Sequence, residues 1–387
     1  MNSYCHTPGE RGRGAVLDVG LSCPHSCLFC YYKDYNGATD FQALRKGSFR
    51  STKSLIDILS LFPKHGYEHF DITGGEPTLH PNIVKLIHKG CSELGLAGRI
   101  ITLGQFLQDR SFEKRPLIDA LLDAGLTDIL FSLHAADKTR FHKFTRGSLE
   151  RLEKAMVHLD KKGFQYGTNT VVFKDNIGSL QDIAKRITHH GVYIHNFILF
   201  NAYHGWRNAS LTSQIQADYS TIRPALEKAV LLLEKAGIAV NIRYAPYCVL
   251  KGMEKHIVGL TGSFYDPFEW QNRACNYDKP ASYCAEPVDI DHKYPLTYIN
   301  TKLPDGQGIV AMRGDYFTVF PEICKDCKAM QWCDGIAPIY LHHHGTHELS
   351  PYHRFDAECT LPNARLSYSS PFHVKSHSFE TISPFPA

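Results

Sequence analysis

The sequence predicts an α/β protein, a partial (β/α)6 TIM-like barrel followed by a small cysteine-rich α+β domain. Short apolar runs alternate with amphipathic helical stretches between residues 15 and 245, as in parallel sheets whose strands are buried on both faces. After about residue 246 the helical periodicity fades, and seven of the twelve cysteines lie there. Because such a region has little patterned apolar surface to bury, we expect metal to organise it.

The strands of the barrel are predicted from short runs rich in β-branched and apolar residues. Each run is bounded by turn-forming or polar residues, which is typical of a buried strand. The six predicted strands are AVLDVGL (15–21), HFDIT (69–73), RIITLG (99–104), DILFSLH (128–134), YGTNTVVF (166–173) and IHNFILF (194–200).

Helices are predicted between these strands from apolar residues at helical spacing. Several of the stretches end in glycine after lysine or histidine, which is typical of helix C-termini. The predicted helices span 52–62, 81–95, 148–163, 179–191 and about 213–236. Strand–helix units in series imply parallel strands with right-handed crossovers. They fit a partial barrel, with a doubly wound sheet as the alternative.

The predicted domain boundaries follow the same change in residue composition and patterning. We predict an N-terminal arm over 1–14, the barrel over 15–245 and the cysteine-rich domain over 246–360. The last segment, 361–387, is rich in serine, proline and histidine, and we expect it to form a tail.

Composition and charge exclude several classes of protein. The formal net charge is only +3 and the pI is about 8.2, so binding to nucleic acid is not indicated. No apolar run is long enough for a transmembrane helix, and the first residues lack the apolar core of a signal peptide. We therefore expect a cytoplasmic protein without membrane contact. Cysteines in that compartment favour metal binding over disulfides.

Three cysteines follow the first predicted strand in LDVGLSCPHSCLFCYY. Cys23, Cys27 and Cys30 fall within eight residues, at the carboxyl end of a strand, where parallel sheets place their sites. Burial of all three on one face of a helix is the structural alternative, but Pro24 and the loop position oppose it. Thiolates select zinc or iron–sulfur. Three clustered thiolates suit a cluster with one open iron, whereas structural zinc takes four ligands.

The segment CPHSCLFC resembles the C-x3-C-x-aromatic-C signature of the radical S-adenosylmethionine (SAM) superfamily. The resemblance implies a [4Fe–4S] cluster on Cys23, Cys27 and Cys30 whose open iron binds SAM. It further implies reductive cleavage of SAM to a 5′-deoxyadenosyl radical, chemistry that belongs to the cofactor while the protein orients and shields it. By the same resemblance Phe29 would lie near the adenine.

The sequence DITGGEPTLHP after the second strand resembles the GGE motif of the same superfamily. Glycines allow the backbone to approach a ligand closely, and exposed backbone with a carboxylate would hold the ammonium of methionine. The resemblance assigns that role to Gly74, Gly75 and Glu76. An ordinary turn is the structural alternative.

Two further SAM contacts are implied by resemblance at strand ends. Ser132, in FSLHAAD after the fourth strand, is the candidate for the ribose or the methionine carboxylate, with a hydrogen-bonded hydroxyl as the alternative. Asn169 lies in a fifth strand that is similar to the family pattern T-x-x-x-x-N-x-x-x-L. Asn176 in the same stretch is expected to cap the next helix.

The C-terminal segment CKDCKAMQWC resembles the SPASM/twitch extensions of radical SAM enzymes, which carry auxiliary [4Fe–4S] clusters. The resemblance implies that Cys324, Cys327, Cys333 and Cys359 form one complete ligand set, because Ala337 replaces the cysteine of the inner cluster. Structural zinc is the alternative. A second cluster would draw on three other cysteines, although spacing alone does not settle which cysteines belong together; these are Cys275, Cys284 and Cys248.

The resemblance implies an enzyme that abstracts hydrogen from its substrate. The predicted class is a peptide or protein maturase, although no leader-binding domain is expected before the barrel. Small-molecule biosynthesis of a sugar, nucleoside or cofactor is the alternative. A non-catalytic iron–sulfur or zinc scaffold, or an electron carrier, is the alternative of another class. The expected partners are an electron donor such as flavodoxin or ferredoxin and the peptide or small-molecule substrate.

Overall fold

The structure is a computed structural model. It describes residues 14–30, 49–65, 67–200, 213–258, 274–275, 296–303, 305–313 and 318–356 of the 387-residue chain. Two of the predicted cluster ligands, Cys284 and Cys359, lie outside the described residues, as do the predicted arm up to residue 13 and the predicted tail.

The largest element is a parallel sheet whose strands lie in the order β8-β7-β6-β5-β4-β3-β2-β1-β9. All eight strand pairings are parallel, and β1 to β8 succeed one another in chain order, as in a barrel wall. The strands are β1 Gly14–Asp18, β2 His69–Thr73, β3 Ala97–Thr102, β4 Asp128–Ser132, β5 Tyr166–Val172, β6 Val192–Leu199, β7 Ala239–Arg243, β8 Ile257–Val258 and β9 Ala274–Cys275.

The predicted partial barrel is confirmed, and the doubly wound alternative is not. A doubly wound sheet reverses its strand order at a switch point, whereas β1 to β8 here run in sequence. The sheet also holds more strands than the six predicted. Three of its strands, β7, β8 and β9, were not predicted. β7 has five residues, whereas β8 and β9 are only two residues long, which is too short for a periodic pattern to indicate.

The barrel helices lie between the strands. They are α1 Thr52–Leu61, α2 Ile83–His88, α3 Leu117–Asp123, α4 Lys138–Thr145, α5 Leu149–Lys161, α6 Leu180–Ile187 and α7 Tyr219–Lys235. The predicted helix over 81–95 is divided, because α2 gives way to a π turn at Lys89–Glu93. Within the part of the chain that the structure describes, no helix is long and apolar enough to cross a bilayer.

Side-chain caps fix where four of these helices begin. Ser51, Asp137, Ser148 and Asp218 accept a hydrogen bond from the backbone three residues on, at the start of α1, α4, α5 and α7. Such a cap is worth about 1 kcal/mol to a helix. The short helix α4 was not predicted; its buried apolar contacts come only from Phe141 and Phe144, too few for a clear amphipathic pattern.

A buried charge cluster crosses three neighbouring strands of the barrel. Asp71, Arg99 and Asp128 are register partners on β2, β3 and β4. Arg99 binds Asp71 through two hydrogen bonds of 2.7 and 2.9 Å, and its guanidinium lies 3.9 Å from Asp128. All three side chains are buried. Because an unpaired buried charge is costly, the pairing of Arg99 with the two aspartates lowers the free-energy cost of burying all three charges.

The C-terminal part of the described chain forms a second, antiparallel sheet. It consists of β10 Leu296–Lys302, β11 Gly308–Arg313 and β12 Thr318–Pro321, followed by α8 Pro338–His344. The sheet region contacts the barrel through Tyr340, whose ring stacks on that of Tyr219 at 4.3 Å. Glu348 accepts hydrogen bonds from the first two backbone amides of α7, where a carboxylate is favoured by the helix dipole.

Candidate functional site

The loop that carries the first three cysteines begins where β1 ends. Cys23, Cys27 and Cys30 are each partly exposed. Its middle is anchored to the end of α4, because the amides of Ser26 and Leu28 donate to the carbonyl oxygens of Thr145 and Phe144 at 3.1 and 3.0 Å. The unpredicted helix α4 therefore positions the cysteine loop.

The start of the loop is held by the glycine pair after β2. The amide of Gly75 donates to the Gly20 carbonyl at 2.7 Å, and the amide of Glu76 donates to the Ser22 carbonyl at 2.9 Å. Gly74 has a φ of +131°, which side chains rarely adopt. A Cβ on Gly75 would lie 2.2 Å from the Ser22 oxygen. Both glycines thus allow backbone contact with the residues immediately before Cys23.

The carboxylate of Glu76 faces the protein interior. It accepts hydrogen bonds from the amide and hydroxyl of Thr78, from the hydroxyl of Thr102 at 2.7 Å and from the amide of Leu103 at 3.3 Å. Burial raises the pKa of Glu76, while these four donors oppose that rise. The contacts fix the loop after β2 relative to β3. The assignment of Gly74, Gly75 and Glu76 to the methionine ammonium stays a prediction.

Phe29 packs inside the barrel instead of facing solvent. Its ring lies 4.4 Å from that of His134 in an edge-to-face arrangement and 5.0 Å from that of Phe173. His134 accepts a hydrogen bond from the amide of Val171, and burial lowers its pKa to about 3. A neutral His134 therefore supports the ring of Phe29, and the predicted contact of Phe29 with adenine stays a prediction.

Polar side chains follow one another across β4 to β7. The amide of Asn169 donates to the hydroxyl of Ser132 at 3.3 Å, and that of Asn241 donates to the side-chain oxygen of Asn196 at 2.9 Å. Ser132 pairs in register with Asn169, Asn169 with Asn196, and Asn196 with Asn241. Asn196 and Asn241 were not predicted as site residues, although a buried asparagine in an otherwise apolar strand is a usable signal.

Asn241 leaves one polar atom unused. Its side-chain oxygen is fully buried and accepts no hydrogen bond from any residue that the structure describes. Buried oxygen atoms normally have a donor, so this oxygen is available to a ligand or a water.

Four C-terminal cysteines line a single small cavity. Cys248, from the turn after β7, lies there with Cys324, Cys327 and Cys333. Apolar residues such as Phe320, Met330 and Ile336 complete the wall. The sequence had grouped Cys248 with Cys275 and Cys284, but Cys275 lies in β9, paired with Leu17 of the barrel. The tertiary structure thus brings Cys248 to the other group of cysteines.

Cys333 is buried, whereas Cys248, Cys324 and Cys327 are partly exposed. Burial raises the pKa of Cys333 to about 12 and also raises the pKa values of Cys248 and Cys324. Neighbouring thiolates repel one another and contribute to each rise. Two backbone amides point at sulfur, Gly335 at Cys333 and Tyr352 at Cys327, both at 3.4 Å.

Arg313 shapes the loop that carries three of these thiols. Its guanidinium is fully buried and donates to the carbonyl oxygens of Met330, Gln331 and Cys333 at 2.9, 2.8 and 2.7 Å. Burial lowers the pKa of Arg313 to about 10. One side chain therefore satisfies three loop carbonyls that no regular element would pair.

Both cysteine groups fit thiolate-held metal by their donor chemistry, because soft thiolates select iron–sulfur clusters or zinc. Cys23, Cys27 and Cys30 offer three partly exposed donors, and the C-terminal cavity offers four, of which Cys333 is buried and the other three are partly exposed. In the described residues no three histidine, cysteine, aspartate or glutamate side chains stand at the separations needed for a single metal ion.

Comparisons with known proteins agree with this arrangement. Residues 17–187 match the model of the radical SAM superfamily. The PqqA peptide cyclase of Methylorubrum populi is 25% identical over 218 residues, covering 54% of this chain and 52% of that protein. The GTP 3',8-cyclase of Chlorobaculum tepidum is 31% identical over 145 residues, covering 38% of this chain and 39% of that protein. The chain thus spans about half of these curated relatives or less.

A solved structure shows the same fold over most of the chain. Native anSMEcpe with bound AdoMet superposes with a TM-score of 0.50 at 15% identity. The match covers 88% of this chain and 93% of that chain. It therefore extends past the barrel into the C-terminal part.

Proposed function

The chain belongs to the radical SAM superfamily, and we propose that it reductively cleaves SAM and abstracts hydrogen from a peptide or protein substrate. One observation carries this proposal. The three-cysteine loop leaves the carboxyl end of β1 and is held on both sides, by the Gly74–Gly75 loop and by the end of α4. A merely buried set of cysteines would need no such backbone cradle.

The chemistry is shared between the cofactors and the chain. A [4Fe–4S] cluster on Cys23, Cys27 and Cys30, when bound, supplies the electron that cleaves SAM to a 5′-deoxyadenosyl radical. The chain's proposed part is to orient SAM through the backbone of the Gly74–Gly75 loop and through the hydroxyl of Ser132 and the amide of Asn169, which are hydrogen-bonded to each other. The barrel wall excludes water, which protects reactive intermediates from side reactions.

The C-terminal cavity supports an auxiliary cluster in the same enzyme. Its four thiols lie among apolar side chains, with Cys333 buried and the other three partly exposed, and solvent exposure is one of the features that tune an iron–sulfur centre. We propose that this cluster either binds the substrate or transfers an electron to or from the substrate radical. A reduced flavodoxin or ferredoxin is the proposed electron donor, with the cytoplasm as the proposed compartment.

Release of 5′-deoxyadenosine tests the proposed reaction. The full chain is reconstituted anaerobically with iron and sulfide, reduced with dithionite and given SAM, and the product is measured by liquid chromatography and mass spectrometry. We expect product from wild type and none from the Cys23→Ala/Cys27→Ala/Cys30→Ala variant. Cys91→Ala, a cysteine in the π turn after α2, is the matched control and should retain the reaction.

Two results would contradict the proposal. One is wild-type protein that holds iron and sulfide on the first three cysteines yet releases no 5′-deoxyadenosine. The other is zinc in place of iron at that loop, which would favour a non-catalytic scaffold. Either result would leave the fold intact and remove the reaction.

Of the two curated relatives described above, the peptide cyclase has the longer alignment, which favours a peptide substrate. The peptide cyclase aligns over 218 residues, and the GTP cyclase aligns over 145. The latter match keeps a nucleotide or other small molecule as the second candidate. The rate of 5′-deoxyadenosine release should rise above the substrate-free rate with a pool of synthetic peptides. A rise with GTP and none with peptides would reverse the choice.

A further inference from the structure

We propose that Cys248 is the fourth ligand of the auxiliary cluster, completing a site with Cys324, Cys327 and Cys333. The resemblance to SPASM/twitch extensions implies Cys359 at that position. This inference deepens the proposed function by naming the ligand set of one cluster. Its test is arranged below so that it does not depend on SAM cleavage.

The geometry that supports it is the shared cavity. Cys248 comes from the short turn Tyr247–Leu250 after β7, whereas the other three thiols come from the loop after β12. These segments are some seventy residues apart in the chain, yet all four thiols line one cavity. Four cysteine thiols are the ligand set of a [4Fe–4S] cluster.

Hydrogen bonds of Tyr352 connect the turn that carries Cys248 with the loop that carries Cys327. The backbone of Tyr352 donates to Cys327 Sγ at 3.4 Å and accepts from the amide of Lys328 at 2.8 Å. Its hydroxyl donates to the carbonyl of Tyr247 at 3.3 Å and to Glu254 at 2.5 Å. Tyr352 thus connects the loop of Cys327 with the turn of Cys248, independently of any metal.

The charge around the site is compatible with thiolate ligands. The ammonium of Lys251 lies 4.8 Å from the ring of Tyr352 and donates to Ser350 at 2.8 Å. The positively charged guanidinium of Arg313 donates hydrogen bonds to the carbonyl oxygens of Cys333 and Met330 in the loop that carries Cys333. Hydrogen bonds to sulfur and nearby cations both stabilise a negatively charged cluster. An iron–sulfur cluster would therefore tie the end of the barrel to the C-terminal sheet.

The test uses a background in which the first site is absent. In the Cys23→Ala/Cys27→Ala/Cys30→Ala variant, iron and acid-labile sulfide report on the remaining cysteines alone, whether or not the wild type cleaves SAM. After anaerobic reconstitution we expect about four irons per chain in this background. Adding Cys248→Ser should reduce the iron to below about one per chain, as should Cys327→Ser. Adding Cys359→Ser or the control Cys91→Ser should leave it unchanged.

Alkylation in the wild-type chain guards against a variant that does not fold. Iodoacetamide labelling is mapped by mass spectrometry before and after the iron is removed with a chelator. Cys248 should be protected with the cluster present and labelled at least tenfold faster without it, in parallel with Cys324. The proposal is overturned if Cys248 is labelled equally in both states, if Cys359→Ser removes the iron while Cys248→Ser does not, or if the site takes zinc.

Discussion

Gly75 lies so close to Ser22 that the two loops of the candidate site share one packing surface. The amide of Gly75 donates to the Gly20 carbonyl, and a Cβ on Gly75 would approach the Ser22 carbonyl oxygen to 2.2 Å. The glycine therefore determines where the cysteine loop begins. Since backbone atoms are the obstacle, a side chain here cannot be accommodated by rotating a neighbour.

Gly75→Ala should displace the cysteine loop. Forcing an atom into a well-packed contact costs about 1–3 kcal/mol, and here the displaced segment leads directly to Cys23. We expect a lower free energy of unfolding and loss of most iron from the first site, measured by denaturant titration and by iron analysis. Gly178→Ala is the control, because no atom lies within 4 Å of its added Cβ. Equal iron content in both variants would contradict this role of Gly75.

Asn169→Ala should weaken SAM binding if Asn169 is a SAM contact. Loss of one hydrogen bond in a buried site costs about 1–2 kcal/mol, which corresponds to a five- to thirtyfold rise in the KM for SAM. The release of 5′-deoxyadenosine at varied SAM concentration measures this rise. Asn82→Ala, at the surface beside Thr52, should leave the KM unchanged. An unchanged KM in Asn169→Ala would remove Asn169 from the SAM site.

The buried histidines predict acid sensitivity. Burial, with a smaller contribution from His134, lowers the pKa of His195 to about 3. An unfolded histidine titrates near 6.5, so only the unfolded state takes up a proton between these values. The free energy of unfolding should therefore fall as pH decreases below about 6.5, by up to about 1.4 kcal/mol per pH unit for each such histidine.

A His195→Gln variant tests whether His195 contributes to this pH dependence of the unfolding free energy. Denaturant titrations between pH 7 and pH 5 should show a shallower fall of unfolding free energy in this variant than in wild type. His88→Gln, at an exposed position on α2, should retain the wild-type slope. The same slope in all three proteins would show that His195 does not control the acid response.

Arg313→Met should destabilise the C-terminal part of the protein. The substitution leaves three buried carbonyl oxygens without their donor, at a cost of about 2–5 kcal/mol. We expect a lower Tm and, in the background lacking the first three cysteines, less iron at the auxiliary site. Arg354→Met, at an exposed arginine, is the control. An unchanged Tm in Arg313→Met would argue that water replaces the guanidinium.

Local patterns were sufficient for most of the barrel. The six predicted strands and five predicted helices all appear, because apolar periodicity and capping residues act within a few positions of one another. The predictions missed strands β7, β8 and β9 and helices α3 and α4. Helix α4 has only two large apolar contacts, and it anchors the cysteine loop through the Phe144 and Thr145 carbonyls.

The sequence by itself determined the chemistry available to this protein: three cysteines after the first strand, a glycine pair after the second and a cysteine-rich C-terminal part. Only the tertiary structure decided which of these groups meet. It placed Gly75 against Ser22, lined up Asn196 with Asn241 and brought Cys248 to the cavity of Cys333. The physical reason is that residue types and spacing act locally, whereas partners distant in the chain are chosen by the packing of the whole molecule.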